Sequence, residues 1–360
     1  MTYIFKKNDL CEDFCAMETK AAFLTEIKKI QIGKTKILEP HEDEIQVRVE
    51  FVGLCGSDIH FFEKGCIGNR HVTYPFILGH ECAGVVTKTG KGVKDLAEGD
   101  LVALEPGIPC GKCEFCKEGR YNICPDIKFM ATPPNDGALV QLINYPEYMA
   151  FKLPPNVSTL EGALVEPLAV GMHAARQGFV APGKSVVILG AGCIGLSTLL
   201  ACRNMGASKI LVTDLFDMRL KKALELGADF VINTSKGDLA YDIRLITNGE
   251  GFDLVFETAG SNITATQTSY IVRRGGTIVM VGNITGDTAF NFRNLIINEI
   301  TLKTVFRYRN IYPSAIEEIA TERIDVKSIV TNIFKFKETQ QAFEQSLYDK
   351  KNIVKAVVQI

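Results

Sequence analysis

Four cysteines crowd one short stretch of the chain, Cys110-x2-Cys113-x2-Cys116-x7-Cys124. Four thiolates so spaced can surround one tetrahedral zinc with no position left open. A closed site cannot take a substrate, so its work is to fix the loop from Pro109 to Pro125. Unmetallated thiols and a nucleic-acid zinc ribbon are the other readings. A ribbon would ask for a basic patch, and 40 Lys+Arg against 42 Asp+Glu show no such excess.

A second set is dispersed: Cys55 within Gly53-Leu54-Cys55-Gly56-Ser57-Asp58-Ile59-His60, then His80-Glu81, then Glu166. A thiolate, an imidazole and one or two carboxylates would hold zinc with a position left for water or substrate. Asp58 is placed to orient His80 through its other ring nitrogen. By spacing alone this set is weak, because a lone Cys or His is more often structural.

Gly190-Ala191-Gly192-Cys193-Ile194-Gly195 is a G-x-G-x-x-G that follows an apolar strand and opens a helical pattern. Gly190 allows the tight turn, Gly192 lets backbone amides approach a pyrophosphate, and Gly195 lets helix and strand pack closely. Unpaired N–H groups at the helix start then face the anion. Asp214 ends the next strand, where a carboxylate accepts from ribose hydroxyls and repels a 2′-phosphate, favouring NAD over NADP. Arg219 would instead hold the adenine side or favour a phosphate.

These residues need elements to position them. The chain has 360 residues, a length suited to about two domains. Hydrophobic residues at 46% and charged residues at 23% exclude disorder, collagen and a disulfide mini-scaffold. Eleven cysteines, an odd and unevenly spaced set, point to metal in a reducing compartment rather than to disulfides. There is no run of 18 uncharged apolar residues and no basic-then-apolar leader pattern, so the expectation is a cytoplasmic chain with neither membrane nor nucleic-acid partner.

Residues 1–16 read as an extension, and Cys11 and Cys15 lack neighbours to complete a motif. Met17 opens a first strand with a turn at Glu26-Ile27-Lys28. From Glu44 to Val140 the chain is strand-rich, with period-two alternation over Glu44–Val52 and further strands at Glu81–Lys88 and Leu101–Leu104. Gly162–Val170 reads as a helix start with Pro167 near its first turn. Strands and helices then alternate from Lys184 to Val305, the pattern of an α/β parallel sheet with helices on both faces. The tail, ending in a strand over Val354–Ile360, is expected to rejoin the first domain.

Together Gly53-x-Cys55-Gly56-Ser57-Asp58-x-His60, Gly79-His80-Glu81, the four-cysteine lobe, Glu166-Pro167-Leu168 and the glycine loop occur in the order seen in zinc-dependent medium-chain dehydrogenases. Within that superfamily the chain resembles the sorbitol (L-iditol) and xylitol dehydrogenases, from about Met17 onward. Supporting stretches are Gly119–Asn122, Ala131–Gly137, Leu153–Val157 and Val305-Phe306-Arg307-Tyr308.

The resemblance implies a doubly wound Rossmann NAD-binding domain over 165–305, nested within a β-rich GroES-like catalytic domain of 17–164 and 306–360. It implies catalytic zinc on Cys55 and His80 with Glu81 or Glu166, and structural zinc on Cys110, Cys113, Cys116 and Cys124. Ser57, His60 and Glu166 match positions that move the alcohol proton. Phe61, Thr132, Arg307 and Tyr308 match the substrate-side wall, with Phe61 standing where several relatives carry Tyr. Gly190, Gly192, Cys193, Ile194, Gly195, Asp214 and Arg219 match the cofactor side. The implied reaction is oxidation of a small-molecule polyol at C2 by NAD, in a homotetramer. L-threonine or 2,3-butanediol dehydrogenase is the sibling reading, and a non-catalytic dinucleotide-binding protein is the reading from another class.

Overall fold

The structure, a computed structural model, describes residues 16–360. The extension read over 1–16, with Cys11 and Cys15, lies outside the described residues but for Ala16.

Two sheets organise the chain. The first is seven-stranded and draws on both ends of the sequence. In chain order its strands are β1 (Glu44–Gly53), β2 (Glu81–Thr89), β3 (Leu101–Leu104), β4 (Leu142–Pro146), β5 (Ala150–Lys152) and, far along the chain, Asn332–Lys335 and Ala356–Gln359. In β1 the alternating Ile45, Val47 and Val49 are at most 2% exposed, so one face of the strand enters the core. Ala356–Gln359 pairs antiparallel with the end of β1, Val357 opposite Gly53 and Gln359 opposite Phe51. An antiparallel hairpin of Met17–Glu26 and Lys29–Ile37 turns at the expected residues and packs beside this sheet.

The second sheet is six-stranded and parallel: β6 (Ser185–Leu189), β7 (Lys209–Asp214), β8 (Phe230–Asn233), β9 (Phe252–Glu257), β10 (Val272–Met280) and β11 (Thr301–Thr304). Their spatial order is β8-β7-β6-β9-β10-β11, that is, third-second-first-fourth-fifth-sixth. The reason is visible in β6. Val186 and Ile188 enter one apolar cluster while Val187 and Leu189 enter the other, so the strand is buried on both faces. The fold is thus a Rossmann sheet nested within a β-rich GroES-like unit.

One long helix ties the two together. It runs Thr159–Gly178, seven residues before Glu166 and well past it. The reading of Pro167 near a first turn is corrected here: Pro167 lies in the helix interior. The true start is set by Ser158, whose Oγ accepts from the Glu161 N–H at 3.3 Å while Glu161 accepts from the Ser158 N–H at 2.8 Å. Leu164, Val165 and Leu168 pack with Ala103 and Val357 of the first sheet, while Ala174 and Ala175 pack under the second. Glu166 is thereby held where the two units meet.

Candidate active site and metal centres

Cys55 caps a short helix, Gly56–Lys64, immediately after β1. The buried Asp58 organises everything around it. One carboxylate oxygen accepts the Cys55 N–H at 3.2 Å and the other accepts the Gly79 N–H at 3.0 Å. The His80 Nδ1 lies 3.4 Å from the first of these. One acid therefore fixes the helix start, the turn before β2 and the His80 ring, which leaves Nε2 free to face a metal. Phe129 closes the other side of that ring at 5.5 Å between centroids.

Ligand atoms of Cys55, His80 and Glu81 lie within 4.8 Å of one another. Glu81 is also ion-paired with Lys355, both side chains being 1% exposed, and Lys355 donates to the Leu54 carbonyl at 3.1 Å. Glu166 stands outside that trio. It is 5% exposed, and burial pushes its carboxyl up to about 7, with the His80 charge opposing and Glu81 adding to the rise. The donor set of thiol, imidazole and carboxylate fits one zinc with a position to spare. Ser57 and His60, both partly buried, sit three residues apart on the same helix and so share a face. Phe61 is 3% exposed and packs in the apolar core of the first sheet.

The second cluster also converges. Sulfurs of Cys110, Cys113, Cys116 and Cys124 all lie within 4.8 Å of one another. Cys113 and Cys116 are 3.4 Å apart and Cys110 and Cys116 4.0 Å, too long for disulfide bonds. Zn–S bonds of about 2.3 Å in a tetrahedron put sulfurs about 3.8 Å apart, between those two separations. Backbone N–H groups of Lys112 and Cys113 draw the Cys110 thiol down to about 6, which favours the thiolate a metal needs.

Arg307 and Tyr308 lie against the dispersed centre. The Arg307 guanidinium stacks 3.6 Å over the Phe129 ring, the same ring that packs on His80. Burial draws Arg307 down to about 10. Its Nη1 is buried without a hydrogen-bond partner, and the buried Tyr308 hydroxyl faces Glu166 and Tyr312. Thr132 is partly buried in the turn after Ala131, three residues from Phe129.

At the second sheet, Gly190 has φ +103°, and a Cβ at Gly195 would fall 1.8 Å from the Gly190 carbonyl oxygen. Gly192 is different: beyond its backbone lies open space, with only Arg219 Nη1 at 3.9 Å from where a Cβ would be. Cys193 and Ile194 begin the helix Cys193–Asn204 that this turn opens. Backbone N–H groups at such an opening suit a phosphate. Asp214 accepts from the N–H groups of Ala191 at 2.8 Å, Leu215 at 2.8 Å and Phe216 at 3.0 Å. Arg219 Nη1 also lies 3.8 Å from Asp214 Oδ2, so the acid is ion-paired as well. Arg219 donates to the Ile353 carbonyl at 3.1 Å, and its Nε is buried without a partner.

Sequence reasoning missed Lys355 and Glu105. A single cation inside the apolar run Ile353–Val358 is the signal that Lys355 gave. Glu105, 3% exposed and bonded by the Tyr121 hydroxyl at 2.8 Å, had no local signal.

Comparison with known proteins agrees with this geometry. Residues 41–155 match the alcohol dehydrogenase GroES-like domain and residues 193–321 the zinc-binding dehydrogenase family. The chain is 50% identical over 346 residues to the uncharacterized zinc-type alcohol dehydrogenase-like protein YdjJ of Escherichia coli (strain K12), covering 96% of this chain and 99% of that one. It is 42% identical to the sorbitol dehydrogenase of Bacillus subtilis (strain 168), covering 94% and 96%. A zinc-binding dehydrogenase structure from Sinorhizobium meliloti 1021, bound to NADP, superposes with a TM-score of 0.88 at 27% identity, covering 96% and 100%. With two metal-fitting clusters, a helix opening suited to phosphate and these likenesses in hand, the chain belongs to the zinc-dependent medium-chain dehydrogenases, and within them to the sorbitol dehydrogenase-like group.

Proposed function

We propose that this enzyme oxidises a polyol (sorbitol, xylitol or L-iditol) at C2 to a 2-ketose, with NAD as hydride acceptor. The observation that carries this reading is the orphaned Arg307 Nη1, buried beside the Cys55–His80–Glu81 centre, with the buried Tyr308 hydroxyl next to it facing Glu166. A buried donor without a partner costs about 1–3 kcal/mol, and a substrate rich in hydroxyls removes that cost.

In this proposal Cys55 and His80 hold the catalytic zinc with Glu81 or Glu166, and the four cysteines of the lobe hold the structural one. Zinc supplies a Lewis acid that acidifies an alcohol, and the nicotinamide supplies the hydride acceptor. The residues do the rest. Arg307, Tyr308 and Thr132 grip the hydroxyls that do not react, which orients C2. Ser57 takes the proton from the reacting hydroxyl, and His60, one helical turn on, passes it outward. Glu166 faces the same space from the bridging helix. The glycine turn from Gly190 to Gly195 anchors the pyrophosphate, Asp214 takes the ribose and disfavours a 2′-phosphate, and Arg219 flanks the adenine side.

The free edge of Arg307 would equally suit the carboxylate of L-threonine, which keeps that sibling reading as the second choice. A homotetramer in the cytoplasm completes the proposal. In its favour, β11 is an unpaired edge of the parallel sheet, with Leu302 42%, Ile296 73% and Ile297 64% exposed nearby. The described cysteines are free thiols, as a reducing compartment allows. No described helix is long and apolar enough to cross a membrane.

The test is a substrate panel of sorbitol, xylitol, L-threonine and 2,3-butanediol with NAD and then NADP, on a preparation sized by light scattering. Zinc-dependent NADH formation from a polyol by a tetramer is expected. Absence of turnover with every polyol would overturn the substrate, and faster turnover with NADP would overturn the cofactor choice.

A further inference from the structure

Residues 306–310 carry the wall beside the candidate centre, and their backbone is not relaxed. Arg307 has φ +56° and Asn310 φ +52°. Asparagine tolerates that region, but arginine holds it only where its surroundings over-determine it. Arg176 of the long helix supplies part of those surroundings, donating to the Arg309 carbonyl at 2.6 Å, and the four-cysteine lobe supplies the rest, from a segment nearly 190 residues away in sequence.

Four hydrogen bonds make the connection. Asn122 Nδ2 donates to the Phe306 carbonyl at 2.8 Å, and Arg309 Nη1 donates to Asn122 Oδ1 at 3.2 Å. The Asn310 N–H donates to the Tyr121 hydroxyl at 2.8 Å, and Asn310 Nδ2 donates to the Gly119 carbonyl at 3.0 Å. Tyr121 in turn donates to Glu105 at 2.8 Å, so its hydroxyl is fixed from both sides. The bonded residues are Phe306, Arg309 and Asn310. They bracket Arg307 and Tyr308, which form none of these bonds, and Arg307 keeps an unpartnered Nη1. Tyr121, Asn122, Arg307 and Tyr308 all line one small cavity. Tyr121 and Asn122 lie in a single turn, Tyr121–Ile123, directly before the last cysteine of the lobe, Cys124.

We propose that Tyr121 and Asn122 are positioning residues for substrate selection: through them the four-cysteine lobe holds Arg307 and Tyr308 at the reach a polyol requires. The proposal rests on the polyol reading above. Metal on the four thiols would tighten the turn that carries both residues, so the lobe sets selectivity as well as loop shape. A substrate without further hydroxyls does not touch the wall and is indifferent to the brace.

Asn122→Ala and Tyr121→Phe test it, the second removing only one hydroxyl. KM for the polyol is expected to rise about tenfold, the worth of a hydrogen bond or two, with kcat within about twofold. KM for 2-propanol and for NAD should stay unchanged. Hydrogen exchange should speed up about tenfold at 306–310 in both variants, and not in the six-stranded sheet. Unchanged exchange at 306–310 overturns the brace. An equal rise in KM for 2-propanol and polyol overturns the selectivity. If the parent enzyme oxidises no polyol, the proposed function falls, while the exchange data still decide the brace.

Discussion

All four thiols of the lobe come from residues 110–124, whereas Cys55, His80, Glu81 and Glu166 arrive from a helix cap, the start of a strand and the middle of a long helix. Three of the lobe's thiols are partly exposed, while His80 and Glu81 are buried. The two sets offer different chemistry for that reason. A local set can close round an ion using one loop and nothing else. A dispersed set exists only once strand, helix and cap have met, and its ligands then form the walls of a cleft rather than a knot in the chain. Such a geometry is the kind that can leave a coordination position open.

Replacing one thiol in each cluster should break this contrast if it is wrong. Cys55→Ser is expected to lower kcat/KM by at least about a thousandfold, roughly 4 kcal/mol of transition-state stabilisation, while the melting temperature changes little. Cys113→Ser is expected to do the reverse. Activity should survive within about tenfold, the loss appearing in KM, while Tm falls on the order of 10 °C as a metal-linked contribution of a few kcal/mol disappears. Elemental analysis should find two zinc ions per parent chain and one in each variant. Equal effects of both changes on Tm and on turnover would erase the distinction.

A smaller effect sharpens the boundary between the two regions. Glu105 joins them, and burial lifts its carboxyl from an ordinary value near 4.5 to about 7. The folded protein therefore keeps a proton that the unfolded chain gives up between those two pH values. The stability this contributes is complete below about 4.5 and is lost as pH rises through about 7. Glu105→Gln keeps an oxygen for the Tyr121 hydroxyl and removes the ionisation. It should flatten the pH dependence of urea unfolding in that window and stabilise by on the order of 2 kcal/mol at pH 8. An unaltered pH profile would show that Glu105 ionises freely.

The same contrast explains what could be read from the sequence. The lobe and the glycine turn were legible because their residues are neighbours in the chain, and the strand-helix alternation of 185–304 because β6 is apolar on both faces. Cys55 and His80 became legible only through the order of motifs along the chain, since spacing says nothing about a contact between residues 25 apart. Pro167 was misplaced because proline is usual in a first turn, yet the Ser158–Glu161 capping box starts the helix earlier. The Lys355–Glu81 pair and the bonds from 119–122 to 306–310 join residues hundreds of positions apart, and no periodicity records such a meeting.

The strand Ala356–Gln359 joins Asn332–Lys335 to β1 in the first sheet, and Lys355 just before it meets Glu81. On the ribosome this gives synthesis a fixed order. The parallel sheet has all six of its strands in hand once residue 304 has emerged, and the four cysteines of the lobe are all present earlier still. Lys355, the partner of Glu81, emerges about 50 positions later, so that buried ion pair forms only after the parallel sheet has all its strands.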